Sequence, residues 1–272
     1  MKSSAARSAV PGLLRRDDAA GVATLTLTAP ASRNALSSAM IEALRDAFAD
    51  IADKPDLRAI VIAGEGPAFS SGHDLRELKA HRNDRDDGKE FYQSLMAACA
   101  SMMQAIVALP KPVIAAIEGV ATAAGCQLVA ACDLAIAGQA ARFATPGVDI
   151  ALFCSTPLVA IGRTVSRKHA VEMALTGALY SAVEAERFGL INRVVPAGHA
   201  LTEARRMASE LAARSAKTLA IGKKAFYEQI ELNLGDAYAR ASQAMVENLL
   251  HADADEGIGA FLEKRRPLWE NE

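Results

Sequence analysis

Two short glycine-centred segments carry the residue types from which a carbonyl-binding site can be built. The first is Ala68-Phe69-Ser70-Ser71-Gly72-His73-Asp74-Leu75. The second is Gly119-Val120-Ala121-Thr122-Ala123-Ala124-Gly125-Cys126-Gln127-Leu128. Each follows an apolar, strand-like run and opens a helix-like one. Small residues let a ligand come close to the backbone. The N–H groups at a helix start have no intrahelical partner and point at whatever docks there. Two such starts can aim two N–H groups at one carbonyl oxygen, which is an oxyanion hole. The same small residues serve close helix–strand packing equally well, so the pattern alone leaves both uses open. Neither segment has the dinucleotide-binding GxGxxG or the P-loop pattern, and there is no GxSxG nucleophile elbow.

The side chains nearby divide by type. His73 offers a backbone N–H whatever its imidazole does, and the imidazole can touch a ligand or act as a base. Asp74 stands where a helix begins and reads as a cap. Glu118 precedes the Gly119 turn and reads as a structural partner of it. Cys154 has no nearby His or Asn pattern and reads as a buried thiol, as do Cys126 and Cys132. His81, His169, His199 and His251 lie in charged or helical-surface contexts without metal-ligand spacing, so no metal site is expected.

The elements that must hold these residues are legible from hydrophobic period. Ala23, Leu25 and Leu27 alternate with threonines in a half-buried strand that ends at Pro30. Met40, Ile41, Leu44, Phe48 and Ile51 fall at helical spacing over Ser37–Asp53. Ala59–Ala63, Val113–Ile117 and Leu134–Ala137 are short buried strands, and Phe69–Asp74 reads as irregular Ser/Gly chain. Ser181 and Glu184 form a capping-box pattern opening a helix to Phe188, with Gly189 as its stop. Cys154-Ser155-Thr156-Pro157 reads as an N-cap followed by Pro at the first helical position. Arg82–Glu90 is a charge-dense solvated loop. Strand–strand–helix units recur, which predicts an α/β core. From His199 onward the pattern is almost wholly helical. The expected organisation is a flexible tail over 1–16, a core over 17–196 and a helical region over 197–272.

The chain has 272 residues, of which 51% are hydrophobic and 23% charged, enough apolar surface for a full core. A net charge of −2 gives no electrostatic footprint for nucleic acid, and 5% aromatic content gives no stacking platform. Mean hydropathy is +0.12, and no run of about 18 uninterrupted apolar residues suggests a membrane span. Four scattered cysteines without a CxxC suit a reduced, intracellular protein with free thiols. The basic, Ser-containing start Met1–Arg16 has some transit-peptide character. A cytoplasmic location is the expectation, with a mitochondrial one if that tail is a targeting segment.

Several collinear motifs resemble the enoyl-CoA hydratase/isomerase (crotonase) superfamily. They are Arg33-Asn34-Ala35-Leu36, Phe69-Ser70-Ser71-Gly72-His73-Asp74-Leu75, Gly125-Cys126-Gln127-Leu128 through Cys132-Asp133, and Phe143-Ala144-Thr145-Pro146. The likeness runs from about Gly21 to the C-terminal Phe261-Leu262-Glu263-Lys264-Arg265. It implies a spiral of ββα units with a C-terminal helical trimerisation region, and a trimer or hexamer. It also implies a lyase or isomerase of fatty acid metabolism acting on acyl-CoA or enoyl-CoA thioesters. Coenzyme A then enters as part of the substrate, and no separate cofactor is expected. Carried over position by position, the oxyanion N–H groups belong to His73 and Ala124. Arg33, Ser71, Asp74 and Leu75 fall on the CoA path. Phe261 and Lys264 match C-terminal positions that reach the CoA nucleotide, in some members from a neighbouring subunit. Apolar residues at helical spacing on more than one face, among them Leu219, Ile221, Phe226, Ile230, Leu232 and Leu234, agree with an assembly.

The departures from the family pattern concern proton transfer. Hydratases of the family carry two Glu side chains where this chain has Gln127 and Gly147. Gln127 can orient a water but cannot exchange a proton near neutral pH, and Gly147 offers only backbone. Asp149, two residues past Gly147, is then the nearest alternative carboxylate. The resemblance therefore implies a protein that stabilises an enolate-like oxygen yet departs from standard hydration. The alternatives are a non-catalytic acyl-CoA-binding regulator and a hydratase or isomerase that uses Asp149.

Overall fold

The computed structural model describes residues 12–270. In chain order the elements are β1 (Leu14–Ala19), β2 (Val22–Leu27), α1 (Ser38–Ala52), β3 (Ala59–Gly64), β4 (Ala68–Ser70), α2 (Leu75–His81) and α3 (Lys89–Ala108). Then follow β5 (Val113–Ile117), β6 (Val120–Thr122), α4 (Ala124–Ala131), β7 (Leu134–Gly138), β8 (Arg142–Ala144), α5 (Pro157–Thr164) and α6 (Arg167–Thr176). The chain ends with β9 (Tyr180–Ser181), α7 (Ala182–Phe188), β10 (Arg193–Val195), α8 (Ala200–Ala212), α9 (Ala216–Gln229), α10 (Leu234–Leu249) and α11 (Ala252–Leu262).

From β3 to β8 successive strands alternate between two sheets. One has the order β1-β2-β3-β5-β7-β10, the other β4-β6-β8-β9. β3, β5 and β7 are parallel neighbours in the first sheet, and β4, β6 and β8 are parallel neighbours in the second. Each turn of the chain thus lays one strand in each sheet before a helix returns it, the ββα spiral expected from the sequence.

Side-chain alternation divides the core between the two faces of the larger sheet. Ile60 and Ile62 of β3 join Val113, Ala115 and Ile117 of β5 in the main core, under α1, α3 and α4. Ala59, Val61 and Ala63 join Ile114 and Ala116 on the opposite face, where Ala200, Ala204, Met207 and Ala208 of α8 cover them. These strands are buried on both faces and therefore read as continuous apolar runs.

Three boundaries differ from the sequence reading. β1 begins at Leu14, inside the span assigned to a tail, because its residues pair antiparallel with β2 in the register Leu14↔Leu27 to Ala19↔Val22. Met1–Pro11 lies outside the described residues. α8 falls in the span assigned to a separate helical region, yet it is a cover helix of the main sheet. β4, β6 and β8 have three residues each, too few for a period to register, so Phe69–Ser70 belongs to a strand rather than an irregular segment.

Most of the predicted helix-end signals are present, and Ser37 adds a cap that the sequence reading does not single out. Ser37 accepts from Met40 N–H at 3.3 Å, and Asp74 accepts from Arg76 N–H at 2.8 Å. The Ser181/Glu184 capping box is complete, and Gly189 ends α7 at φ 90°. Pro157 does open α5, but the Thr156 hydroxyl makes no capping bond. α3 is 20 residues long and apolar enough to cross a membrane by composition, yet Leu95, Cys99, Met102, Met103 and Ile106 place one face of it in the core.

Candidate active site

Three loop segments meet where β4 gives way to α2 and β6 gives way to α4. Asn34 is their common anchor. It is fully buried at φ 52°, a left-handed conformation that Asn tolerates better than most residues. Its Oδ1 accepts from Ala29 N–H at 2.9 Å, and its Nδ2 donates to Glu65 O at 2.9 Å and Ala68 O at 2.8 Å. The Ser70 hydroxyl donates to Asn34 O at 2.8 Å, Ser71 N–H to Arg33 O at 3.0 Å, and Leu36 N–H to Gly72 O at 2.8 Å. From the other side the Thr122 hydroxyl donates to Ser71 O at 3.2 Å. The 70–73 strip is thereby clamped on both edges. Asn34, Ser70 and Thr122 do this positioning, and only the Arg33-Asn34-Ala35-Leu36 motif hinted at it in the sequence.

The two glycine-centred segments abut. Gly72 has φ 86°, and a Cβ on it would stand 2.9 Å from the Ala124 nitrogen, so only glycine fits. Ala123 takes φ 50° and ψ −121°, a costly conformation for a residue with a Cβ. Its N–H is held by Ala144 O at 3.0 Å, which turns the following peptide so that Ala124 starts α4 with an unpaired N–H. Among the described residues, neither the His73 nor the Ala124 N–H has an acceptor within the chain. Two donors thus stand side by side at the start of a helix.

The His73 imidazole is held by Leu36 O, 3.2 Å from Nδ1. A carbonyl only accepts, so Nδ1 carries the proton and Nε2 the lone pair. Nε2 is buried without a partner. Burial pulls the imidazole below its ordinary pKa, against smaller upward pulls from the Leu36 carbonyl and the Glu77 carboxylate. The unfolded chain therefore binds more protons in the window from 6.5 down to the folded value. Stability should fall as pH drops through that window and be insensitive to His73 above it. Urea unfolding midpoints between pH 8 and 5 check this: wild type should lose more than His73→Gln, and parallel curves would refute it.

Gln127 is buried on the first turns of α4, and its Oε1 has no partner. Gly147 is buried as well. A Cβ on it would lie 1.9 Å from Leu152 O and 2.9 Å from Cys154 Sγ, so the 152–154 segment fills the place of a side chain there. Asp149 does not join them. Its residue is exposed, and its carboxylate lies against Gly177 at the end of α6. Asp149 belongs to the 3-10 turn over Pro146–Ile150.

The other carboxylates nearby are engaged. Asp74 caps α2, Glu77 accepts from Ser38 N–H at 3.0 Å, and Glu118 accepts from Ala200 N–H at 3.0 Å. The thiols are buried, which raises Cys126 to about 12 and raises Cys154. Of the positions expected on the CoA path, Arg33, Ser71, Asp74 and Leu75 line the same rim, with Arg33 and Leu75 exposed. Phe261 and Lys264 lie at and just beyond the end of α11, which packs on α9 and α10, and Phe261 is 82% exposed. Among the described residues no group of three or more His, Cys, Asp or Glu could hold a metal ion. A groove of about 480 Å³ between α1 and α3, lined by Arg45, Phe48 and Leu109, shares none of these residues.

Comparison with known proteins shows the family of this chain. The family model described as enoyl-CoA hydratase/isomerase matches residues 17–272. The chain belongs to the enoyl-CoA hydratase/isomerase (crotonase) family. It is 48% identical over 249 residues to the rat mitochondrial enoyl-CoA hydratase domain-containing protein 3, covering 92% of this chain and 81% of the rat protein. The human protein of that name is 46% identical over 252 residues, covering 93% and 82%. The crystal structure of the human protein superposes with a TM-score of 0.90 at 45% identity, covering 94% of this chain and 100% of that one. An enoyl-CoA hydratase from Mycobacterium smegmatis gives 0.90 at 49% identity, covering 94% and 98%. The fold and family read from the motifs are thus shown. These rat and human relatives carry "mitochondrial" in their names, and nothing in them supports a cytoplasmic location.

Proposed function

We propose that this crotonase-family protein binds an acyl-CoA thioester and stabilises negative charge on its carbonyl oxygen, without standard enoyl-CoA hydration. The carrying observation is the pair of unpaired N–H groups of His73 and Ala124 beside Gln127 and Gly147. The donors come from the backbone and survive any side-chain change. Each such donor is worth about 10²–10³ in rate when aimed at developing charge. The carboxylates that would activate water are missing. Arg33, Ser71, Asp74 and Leu75 supply the rim along which the CoA portion would run. A purely binding role, with no chemistry, is the competing reading, and the loss of both acids favours it.

The expected result is a thioester carbonyl oxygen at about 2.7–3.1 Å from both nitrogens in a ligand-bound structure. Calorimetry with butyryl-CoA should register binding, and a thioester seated elsewhere would refute the site. Incubation with a panel of acyl- and enoyl-CoAs followed by mass spectrometry separates turnover from binding alone.

The C-terminal helices support self-association. Leu234, Tyr238, Leu250 and Phe261 are each at least 70% exposed, a large apolar surface for a single chain. A trimer or hexamer would cover it and carry Phe261 and Lys264 toward a neighbour's site. Light scattering at micromolar concentration should give three or six times 28.6 kDa, and a monomeric mass would end this reading.

A further inference from the structure

We propose that residues 265–270 form a strap, latched by Trp269, that fixes α11 against the corner between α8 and α9, and that self-association of the chain requires the strap closed. This rests on the self-association reading of the apolar helix faces. α11 has little apolar hold on its own chain. Of its eleven residues only Asp253 and Ala260 are buried, while Ile258, Phe261 and Leu262 are 51%, 82% and 73% exposed. Polar contacts hold it instead. At its start the buried Asp253 carboxylate accepts from the Ser215 hydroxyl, and Ser215 itself caps α9, accepting from Thr218 N–H at 3.1 Å. Past its end the chain turns back along it. Glu256 takes the Arg265 guanidinium in a two-pronged pair, Nη1 to Oε1 at 2.6 Å and Nη2 to Oε2 at 2.7 Å. Glu256 also accepts from Leu268 N–H at 2.7 Å. Glu270 N–H donates to the second Asp253 oxygen at 2.8 Å. Trp269 Nε1 donates at 2.9 Å to Ala213 O, at the end of α8. The Trp269 ring lies on Gly257, where a Cβ would meet two ring carbons at 3.4 Å.

The strap thus joins both ends of α11 to residues 213–215, the corner that follows the cover helix of the larger sheet. With the strap closed, Ile258, Phe261 and Leu262 keep one placement relative to that sheet, as a contact between copies needs. With it open, α11 is held chiefly by Ala260 and the Asp253–Ser215 pair. Each copy must then reorder the helix before it can associate. An equilibrium of that kind weakens association according to the fraction of molecules in the competent form. Glu256, Gly257 and Trp269 are positioning residues here, because they act through α11.

The test is the mass of each protein by light scattering along a dilution series, beside emission from Trp269, the one tryptophan in the chain. Trp269→Ala should move half-dissociation to about tenfold higher concentration or more, the closed fraction having fallen to about a tenth. Glu256→Ala frees Arg265 and Leu268 N–H from the other side of the strap. It should weaken association to the same extent and shift the Trp269 emission to longer wavelength. The double variant should dissociate no more readily than either single one, since both open one strap, whereas independent local losses would add. Trp269→Phe keeps a ring for Gly257 and should fall between wild type and Trp269→Ala. Circular dichroism and melting curves should show the sheet core intact in every variant, because the latch contacts lie outside it. A monomeric wild type would overturn the self-association reading, and the strap with it. Half-dissociation of Trp269→Ala and Glu256→Ala at the wild-type concentration, or additive shifts in the double variant, would overturn the strap and leave self-association standing.

Discussion

Crotonyl-CoA hydration by the wild-type protein is expected to be slower than by a two-carboxylate hydratase by several orders of magnitude. Each positioned acid or base contributes about 10²–10⁴-fold, and this site has neither at the two positions that would act on water. Gln127→Glu should raise the rate. The two side chains are nearly isosteric, and Oε1 has no existing partner to lose. Burial would also raise the pKa of the new carboxyl and suit it to proton transfer. Gly147→Glu should not help. A Cβ there would sit 1.9 Å from Leu152 O, a backbone atom, so the 152–154 segment would have to move. Overpacking of that kind costs about 1–3 kcal/mol or more. The paired substitution should therefore fall below Gln127→Glu alone, through loss of folded protein. Restoring the second acid requires exchanging the whole 147–154 segment. Initial rates and melting curves on the four proteins test this. Fast wild-type hydration would refute the reading of the site, and a folded, faster Gly147→Glu would refute the packing argument.

Asp133→Ala is expected to destabilise the fold by about 3–5 kcal/mol, the cost of breaking a buried ion pair. Asp133 follows α4, and one carboxylate oxygen accepts from Val113 N–H and Lys223 Nζ, both at 2.7 Å. The other accepts from Tyr227 OH at 2.9 Å. Lys223 also donates to Ile106 O at 2.9 Å and Lys111 O at 3.0 Å, with only 9% of its side chain exposed. Burial lowers the Lys223 pKa and raises that of Tyr227, the nearby Asp133 charge opposing the first shift and adding to the second. Removing the carboxylate strands a buried ammonium and frees the end of β5 from α9. At about 2–4 °C per kcal/mol for a domain of this size, the melting temperature should fall by roughly 10 °C. Lys223→Met in the same chain should recover much of the loss, since a well-packed apolar pair can match a buried ion pair. A change under about 1 kcal/mol in Asp133→Ala would show that the network is not an anchor.

The local signals were written in the sequence because they depend on few neighbours. Hydrophobic pattern placed α1, β3, β5 and β7, and side-chain chemistry placed the Asp74 and Ser181 caps. The two glycine-centred segments, and the likeness of their residues to the crotonase family, point to His73 and Ala124 as candidate donors without reference to any contact. Tertiary structure decided whatever depends on distant partners. β4, β6 and β8 are too short to have a period, and only pairing with one another defines them. α8 covers the larger sheet because Val61 and Ile114 face away from the main core on a sheet that is apolar on both sides. Whether a carboxylate near the site is free is a question of partners 39 and 82 residues away, such as Ser38 for Glu77 and Ala200 for Glu118. Asp149 stands two residues from Gly147 in sequence, and the fold sets its carboxylate beside Gly177, 28 residues on. The sequence told which acids are missing. The backbone of Leu152, folded into the space beside Gly147, decided that a single substitution cannot return the second one.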